Sequence, residues 1–501
     1  MMQNIPLGVF TDSYKASHPP LYPEDTIEQV AYGEFRCSYD HDSIDHRILF
    51  YGLSYIIDTY IARQWTRGDL EKSLQFYSTH GPGYTMYPFP YELFKDIVEE
   101  CNGWLPLWIE GLPEGSIIYP HTPVYTITAE KKYSGLVTWL ETLLTMVWYP
   151  TTVGTLSRRT RDAIQRAFDE SVEFSSHYLI DSRLHDFGFR GCATVEQAMI
   201  GGAAHLLSFT GTDTAVAAYH VQFNLNNNAP IGVSIPATEH SVMLAHQSEY
   251  FAVIQTIRTY GQGAYAIVMD SYDYASALEE IIPSVKSEKM TAGGFMVIRP
   301  DSGDPIQSVL SALKALNGVF GSTLNALGYK VLSGCGVIQG DGINYATINA
   351  ILDAVLTAGY SAQNVAFGMG SSLLHRVNRD TMSFATKLCF ARSSDGVGRS
   401  ICKTPKTDPA KISLPGPFIV LRACDTGIIT VHPANDGDLL LKTHEKEKAF
   451  IVYYDHGPVQ REKPLFKQIR AASLDQWKRA PKILDPVCMH KLRAEEFTMD
   501  P

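Results

Sequence analysis

An irregular α/β barrel, with an additional α+β region built from the N- and C-terminal segments, is the fold this 501-residue sequence predicts. Three observations point there: short apolar runs that end in acids and glycines, helical spacing directly after those ends, and loss of that alternation on either side. In an α/β barrel the carboxyl ends of the strands form the edge that carries chemistry.

The units run in order LHDFGFRG (Leu184–Gly191), LLSFTGTDT (Leu206–Thr214), GVSIPATEHS (Gly232–Ser241), AYAIVMDSYD (Ala264–Asp273), VIRPDSGDP (Val297–Pro305), VIQGDG (Val337–Gly342) and AFGMGSS (Ala366–Ser372). They number about seven up to Arg379, near the eight of a regular barrel but not equal to it. Pro305 suits a first helical turn, and Ile306, Val309, Leu310, Leu313 and Leu316 follow at 3.6-residue spacing. Ile348, Ile351, Leu352, Val355 and Leu356 repeat that spacing, with Gly359 as the stop.

The expected regions are 1–149, an N-terminal α+β region with strand-like Ile117–Tyr119 and Val124–Ile127; 150–386, the barrel carrying the active site; and 387–501, a β-rich region and tail packing with the first. In the last region PFIVLRA and KAFIVYYDHG read as strands, and Asn435–Gly437 reads as a turn.

With 45% hydrophobic and 19% charged residues the chain reads as soluble and too long for one core. A formal net charge of −11 excludes a broad nucleic-acid face, so an anionic substrate needs a local basic pocket. Eight cysteines without a Cys-x-x-Cys suggest neither zinc site nor disulfide framework, and fit a reducing cytoplasm. The start, MMQNIPLGVF, lacks the basic segment of a signal peptide. Glu141 is the sole charge between Lys132 and Arg158, but Pro150 and that central acid favour a buried helix, VTWLETLLTMVW, over a membrane span.

Asp213, Asp270, Asp301 and Asp341, with Arg190 and Arg299, fall at predicted strand ends joined by glycine turns whose N–H groups suit phosphate. Carboxylates without a His/Cys ligand set favour magnesium, which commonly arrives with a polyphosphate. A sugar phosphate or diphosphate is the implied substrate class. A single acid after a strand ordinarily caps the next helix; four at one edge point to a site. His240 also follows a strand end, and Phe187 reads equally well as core.

TDSYKASH (Thr11–His18), FYGLSYI (Phe50–Ile56), WLET and WYP within Trp139–Pro150, LHDFGFRG, GTDT, SIPATEHS, DSYD (Asp270–Asp273), IRPDSGDP, VIQGDG and AFGMGSSLLHRVNRDT (Ala366–Thr381) resemble, in that order, the nicotinamide phosphoribosyltransferases. The resemblance covers the chain up to about Lys411. It implies transfer of phosphoribosyl from phosphoribosyl pyrophosphate to nicotinamide, giving nicotinamide mononucleotide and pyrophosphate, by a cytoplasmic homodimer with shared sites. By that resemblance Phe187 and Tyr14 of the partner subunit sandwich the pyridine ring, and Asp213 accepts from the carboxamide. Arg190 and Arg299 line the base and ribose region; Asp301 holds the ribose hydroxyls, with Gly340 and Asp341 beside it. Gly370, Ser371 and the partner's Arg379 take the 5′-phosphate. Arg36, Lys387 and Lys403 lie near pyrophosphate, and Asp270 with Asp301 serves Mg2+. His240 resembles a histidine phosphorylated by ATP, the co-substrate.

The chain departs from the family pattern at Phe189, where tyrosine is common, at Ser371 and Ser372 in place of glycines, and at Ala385 in place of a hydroxyl residue. A nicotinate phosphoribosyltransferase and a non-catalytic signalling protein on the same scaffold are the alternatives. Asp213, which would repel a carboxylate, argues against the first; the full set of charged site residues argues against the second.

Overall fold

The apolar runs ending in acids become six parallel strands, ordered across one sheet as Gly211–Thr212, Leu184–Asp186, Val365–Met369, Cys335–Gln339, Phe295–Arg299 and Ala264–Val268. This computed structural model describes residues 5–407 and 411–484. The chain divides into two units: Val153–Val377 with Leu465–Arg470 contains the parallel sheet, and Met1–Thr152 with Asn378–Pro464 and Ala471–Pro501 forms the other.

An irregular segment joins the two edges of the parallel sheet. Val233 bridges to Gly211 and Ala237 to Ala266, both parallel, through Thr212 N–H to Val233 O at 2.9 Å and Ala266 N–H to Pro236 O at 2.8 Å. Six strands and this segment correspond to the seven units of the sequence. Alternation along the strands sends Ala266, Val297, Ile338 and Ala366 to one face, where they cluster with Phe187 and Ile235 packed on them.

Helix Pro305–Phe320 opens on its proline, buries Val309, Leu313 and Leu316, and ends at Gly321 with φ 80°. Helix Tyr345–Thr357 buries Ile348, Ile351, Leu352, Val355 and Leu356, the set the spacing selects. Each such side chain contributes about 1.5–3 kcal/mol of burial. Gly359, at φ 77°, supplies the left-handed turn after it.

The other unit is built on a six-stranded antiparallel sheet, ordered Gly398–Ser400, Phe384–Ser393, Thr26–Phe35, Pro123–Glu130, Leu107–Gly111 and Ile451–Asp455. Several expectations are corrected here. Residues 378–386 belong with this unit and not with the barrel, because Phe384–Ser393 pairs along the whole of Thr26–Phe35. Asn435–Gly437 lies inside helix Ala434–Lys442 instead of forming a turn. The stretch VTWLETLLTMVW breaks into helices Leu136–Trp139 and Glu141–Thr145 before a third begins at Trp148. Its one acid, Glu141, accepts from the Nζ of Lys15, a side chain only 4% exposed. Among the described residues no helix is long and apolar enough to cross a membrane. The expected tail holds helix Phe466–Arg479; from residue 485, Cys488 included, it lies outside the described residues.

Candidate active site

The rim acids are not spent on helix capping. Asp273 accepts from the N–H groups of Ala275 and Ser276 at 2.9 and 3.2 Å, Asp304 from Gln307 at 2.9 Å, and Asn344 from Ala346 and Thr347 at 2.9 and 3.0 Å. Each is a later residue of its loop, so Asp270, Asp301 and Asp341 are left for other partners.

Asp270, its side chain 4% exposed, accepts at Oδ1 from His240 Nε2 at 3.0 Å. Its Oδ2 accepts from the Asp301 N–H at 3.1 Å and the Ser302 hydroxyl at 2.5 Å. A carboxylate on Nε2 holds the imidazole proton there and leaves the lone pair on Nδ1. That nitrogen stands 3.9 Å from Asp301 Oδ2, which in turn lies 3.8 Å from Arg299 Nη2. Arg299 Nε is buried without a hydrogen-bond partner among the described residues, an unspent donor on the side chain that faces Asp301.

For a divalent cation the donor set is sparse. Among the described residues no group of three or more His, Cys, Asp or Glu is arranged to hold a metal. Asp270 has both oxygens engaged, whereas Asp301, 32% exposed, keeps room on its carboxylate. These residues fit magnesium that brings most of its oxygens from a bound phosphate ester, and not a cation caged by protein alone.

The aromatic side of the rim is shaped by glycine. A Cβ at Gly368 would stand 2.1 Å from Phe187 Cε2; one at Gly340 would stand 3.4 Å from that atom and 3.6 Å from Asp301 Oδ1. Phe187 and Asp301 therefore border Gly340 together. Asp213 is exposed, its N–H bound to Asp186 O at 2.9 Å and its Oδ1 accepting the Ser234 hydroxyl at 2.5 Å. Arg190 is exposed in the turn Phe189–Gly191, and Asp341 is exposed with its carbonyl held by Gln339 Nε2 at 2.9 Å. Gly370 precedes the short helix Ser371–Leu374. There the first N–H groups lack intrahelical acceptors, which suits an anion.

Two residues escaped the sequence reading. Ser234 occupies in GVS the third place that Asp213 occupies in GTD, a positional signal available from the units themselves. Asp186 is buried, accepts the Gly188 N–H at 2.7 Å, and has its carboxyl pushed up to about 6 by burial.

In the other unit, strand register sets Lys387 opposite Tyr32, with Arg36 just beyond the end of that partner strand. Burial lowers the Lys387 ammonium, and the charges of Arg36 and Lys403 add to the lowering, against Glu141 and Glu34. The three cations thus stand in one another's field, a local basic cluster in an acidic chain. Arg36 donates from Nε to Glu34 Oε1 at 3.2 Å, while its Nη2 is buried without a partner among the described residues. Thr11 Oγ1 donates to Trp139 O at 2.8 Å and Thr142 Oγ1 to Asp12 Oδ2 at 2.7 Å, anchoring the segment that presents Tyr14, 54% exposed. Arg379 is exposed, 3.6 Å from Asp380.

Known proteins resemble this chain along most of its length. Residues 6–109 match the family model for the N-terminal domain of nicotinamide phosphoribosyltransferase, and residues 182–425 match that of the nicotinate phosphoribosyltransferase family. The chain is 38% identical to a nicotinamide phosphoribosyltransferase of Xanthomonas campestris pv. campestris over 92% of its length and 96% of the relative's. It is 30% identical to one of Mycoplasma genitalium, over 84% and 96% of the two chains. Among solved structures, a nicotinate-nucleotide pyrophosphorylase from Pyrococcus furiosus superposes with TM-score 0.63 at 14% identity, covering 94% of this chain and 95% of that one. Human nicotinic acid phosphoribosyltransferase gives 0.62 at 15%, covering 97% and 96%. Identities that low speak for the fold alone. The sequence identities, held over nearly the full length of both chains, go further: this chain belongs to the nicotinamide phosphoribosyltransferase family.

Proposed function

We propose that this chain transfers the phosphoribosyl group of phosphoribosyl pyrophosphate to nicotinamide, giving nicotinamide mononucleotide and pyrophosphate, a salvage step toward NAD. The observation that carries the reading is the meeting of Phe187 and Asp301 across Gly340: an aromatic face for a flat base and an acid for the sugar it joins, on one rim.

In this reading the pyridine nitrogen attacks the anomeric carbon as the carbon–oxygen bond to pyrophosphate breaks, the electron pair leaving with pyrophosphate. Positive charge then grows on the ribose ring near Asp301, and negative charge on the leaving group, to which the family resemblance assigns Arg36, Lys387 and Lys403. Asp213 accepts from the carboxamide, and Arg190 and Arg299 border base and ribose; Asp341 flanks the sugar, and Gly370 with Ser371 takes the 5′-phosphate. Magnesium, with Asp301 and behind it Asp270 as its protein carboxylates, would neutralise charge on the phosphates. His240 is the acceptor of the ATP γ-phosphoryl group at Nδ1, the nitrogen that the Asp270 contact leaves free. Exposed Tyr14 and Arg379 are the residues assigned to the neighbouring subunit's site in a homodimer. A cytoplasmic setting belongs to the same reading, supported by seven described cysteines that form no disulfide with one another.

The test is mononucleotide formation from nicotinamide and phosphoribosyl pyrophosphate by the full chain, with and without ATP. Product from nicotinamide, increased by ATP, is expected; product from nicotinate alone would replace the substrate, and no product from either base would replace the function.

A further inference from the structure

We propose that Ser234 is a positioning residue for base selection: its hydroxyl fixes the Asp213 carboxylate in the orientation that receives a carboxamide and turns away a carboxylate. This rests on the reading of Asp213 as the amide acceptor.

Main-chain bonds, not the side chain, place Ser234. Val233 N–H donates to Thr210 O at 2.8 Å and Thr212 N–H to Val233 O at 2.9 Å, so the irregular segment runs beside the strand end that carries Asp213. The hydroxyl has two acceptors in reach, Asp213 Oδ1 at 2.5 Å and Ile235 O at 3.5 Å. The nearer, charged acceptor receives the hydrogen bond.

Both residues are exposed, so in water this bond adds little to stability. Its value rises when a base displaces the water around it. Ser234 engages one lone pair of Oδ1, which leaves Oδ2 with its full accepting capacity for an amide N–H. A carboxylate base brings no donor to that oxygen. Nor can it claim the serine proton without stripping it from Asp213. Selection is thus both attractive and exclusionary.

The experiment compares the parent, Ser234→Ala, Ser234→Thr and Asp213→Asn in the full chain. It measures kcat/KM for nicotinamide, kcat/KM or the competitive inhibition constant for nicotinate, KM for phosphoribosyl pyrophosphate, and Tm. Ser234→Ala should lower kcat/KM for nicotinamide about tenfold, mainly through KM, as expected for a weakened hydrogen bond to a charged group. The amide-to-acid ratio should narrow by a similar factor, with Tm and the KM for phosphoribosyl pyrophosphate unchanged, and Ser234→Thr should restore the ratio. An unchanged ratio in Ser234→Ala, or parallel losses for both bases, overturns the proposal. If Asp213→Asn shifts the ratio while Ser234→Ala does not, the reading of Asp213 stands and the role of Ser234 fails; a parent that prefers nicotinate sinks both.

Discussion

Replacing Gly368 with alanine should damage base binding through Phe187 without touching any polar group of the site. The new methyl carbon would lie 2.1 Å from Phe187 Cε2, 2.2 Å from Cδ2 and 2.8 Å from Cζ. Ordinary contact begins at 3.4 Å, so the ring must retreat by about 3.4 − 2.1 = 1.3 Å. The backbone cannot give way instead, because Gly368 sits in a buried strand, in register with His185 on the neighbouring one. Phe187 is only partly buried, so the ring moves. Overpacking of this kind costs about 1–3 kcal/mol. A displacement near 1 Å of a substrate-positioning group costs on the order of a hundredfold in rate. Steady-state kinetics on Gly368→Ala should therefore show a large fall in kcat/KM for nicotinamide, with a raised KM from the displaced ring and Tm lowered by only a few degrees. Gly340→Ala is the matched control: its methyl would meet the same ring at 3.4 Å, and neither glycine has a left-handed backbone. Its effect on nicotinamide KM should be several-fold smaller. Equal effects from the two substitutions, or a normal nicotinamide KM in Gly368→Ala, would refute the placement of Phe187 as the stacking face.

His240→Ala should retain basal transfer and lose the stimulation by ATP; labelling with γ-phosphate ATP should give an acid-labile adduct in the parent alone, and full ATP hydrolysis by the variant would contradict the role. Mixing inactive Tyr14→Ala and Asp301→Ala chains should restore activity if sites are shared between subunits, and no recovery after demonstrated subunit exchange would argue against sharing. Stability against pH offers a third check. From about pH 4 to 6 the folded chain keeps a proton on Asp186 that the unfolded chain has lost (ordinary value 3.8, folded about 6), so this group makes stability fall as pH rises. Buried His205 acts oppositely: its value drops from 6.5 to about 4, so the unfolded chain binds the proton first and stability falls as pH falls. Each is worth about 3 kcal/mol, and the two largely offset each other. Asp186→Asn should therefore make urea-unfolding stability rise more steeply between pH 4 and 6.5 than in the parent; identical slopes would exclude the assignment.

The barrel was legible because its signals are local. Proline at 305, the aliphatic spacing of Ile348 to Leu356 and the acids after apolar runs each act within a few residues, and so survive in a one-dimensional reading. The antiparallel sheet was legible only in part: Val124–Ile127 and KAFIVYYDHG read as strands, but the partners they pair with did not show. Pairing Thr26–Phe35 with Phe384–Ser393 depends on surfaces far apart in sequence, and strand alternation names a face, never a partner. The same distance explains why Arg36, Lys387 and Lys403 entered through family resemblance and not through spacing. Ser234 was passed over because a hydroxyl carries no charge to mark it. Gly368 carries no mark in the sequence, because only its place in the folded strand shows that it reserves space for a ring.

Asp273, Asp304 and Asn344 have a consequence for how this scaffold can change over time. Because those residues cap the helices, Asp301 and Asp341 carry no capping duty at the same junctions, and Asp270 serves there only to tie the Asp301–Ser302 turn to its own strand end. Mutation can exchange Asp301 or Asp341 while the caps keep the framework standing. Such a separation lets a lineage try new ligands without first surviving an unstable intermediate, since a lost cap alone removes about 1 kcal/mol from a marginal fold. Selection can then act on what the rim recognises, one acid at a time, with the helices beneath it already secured.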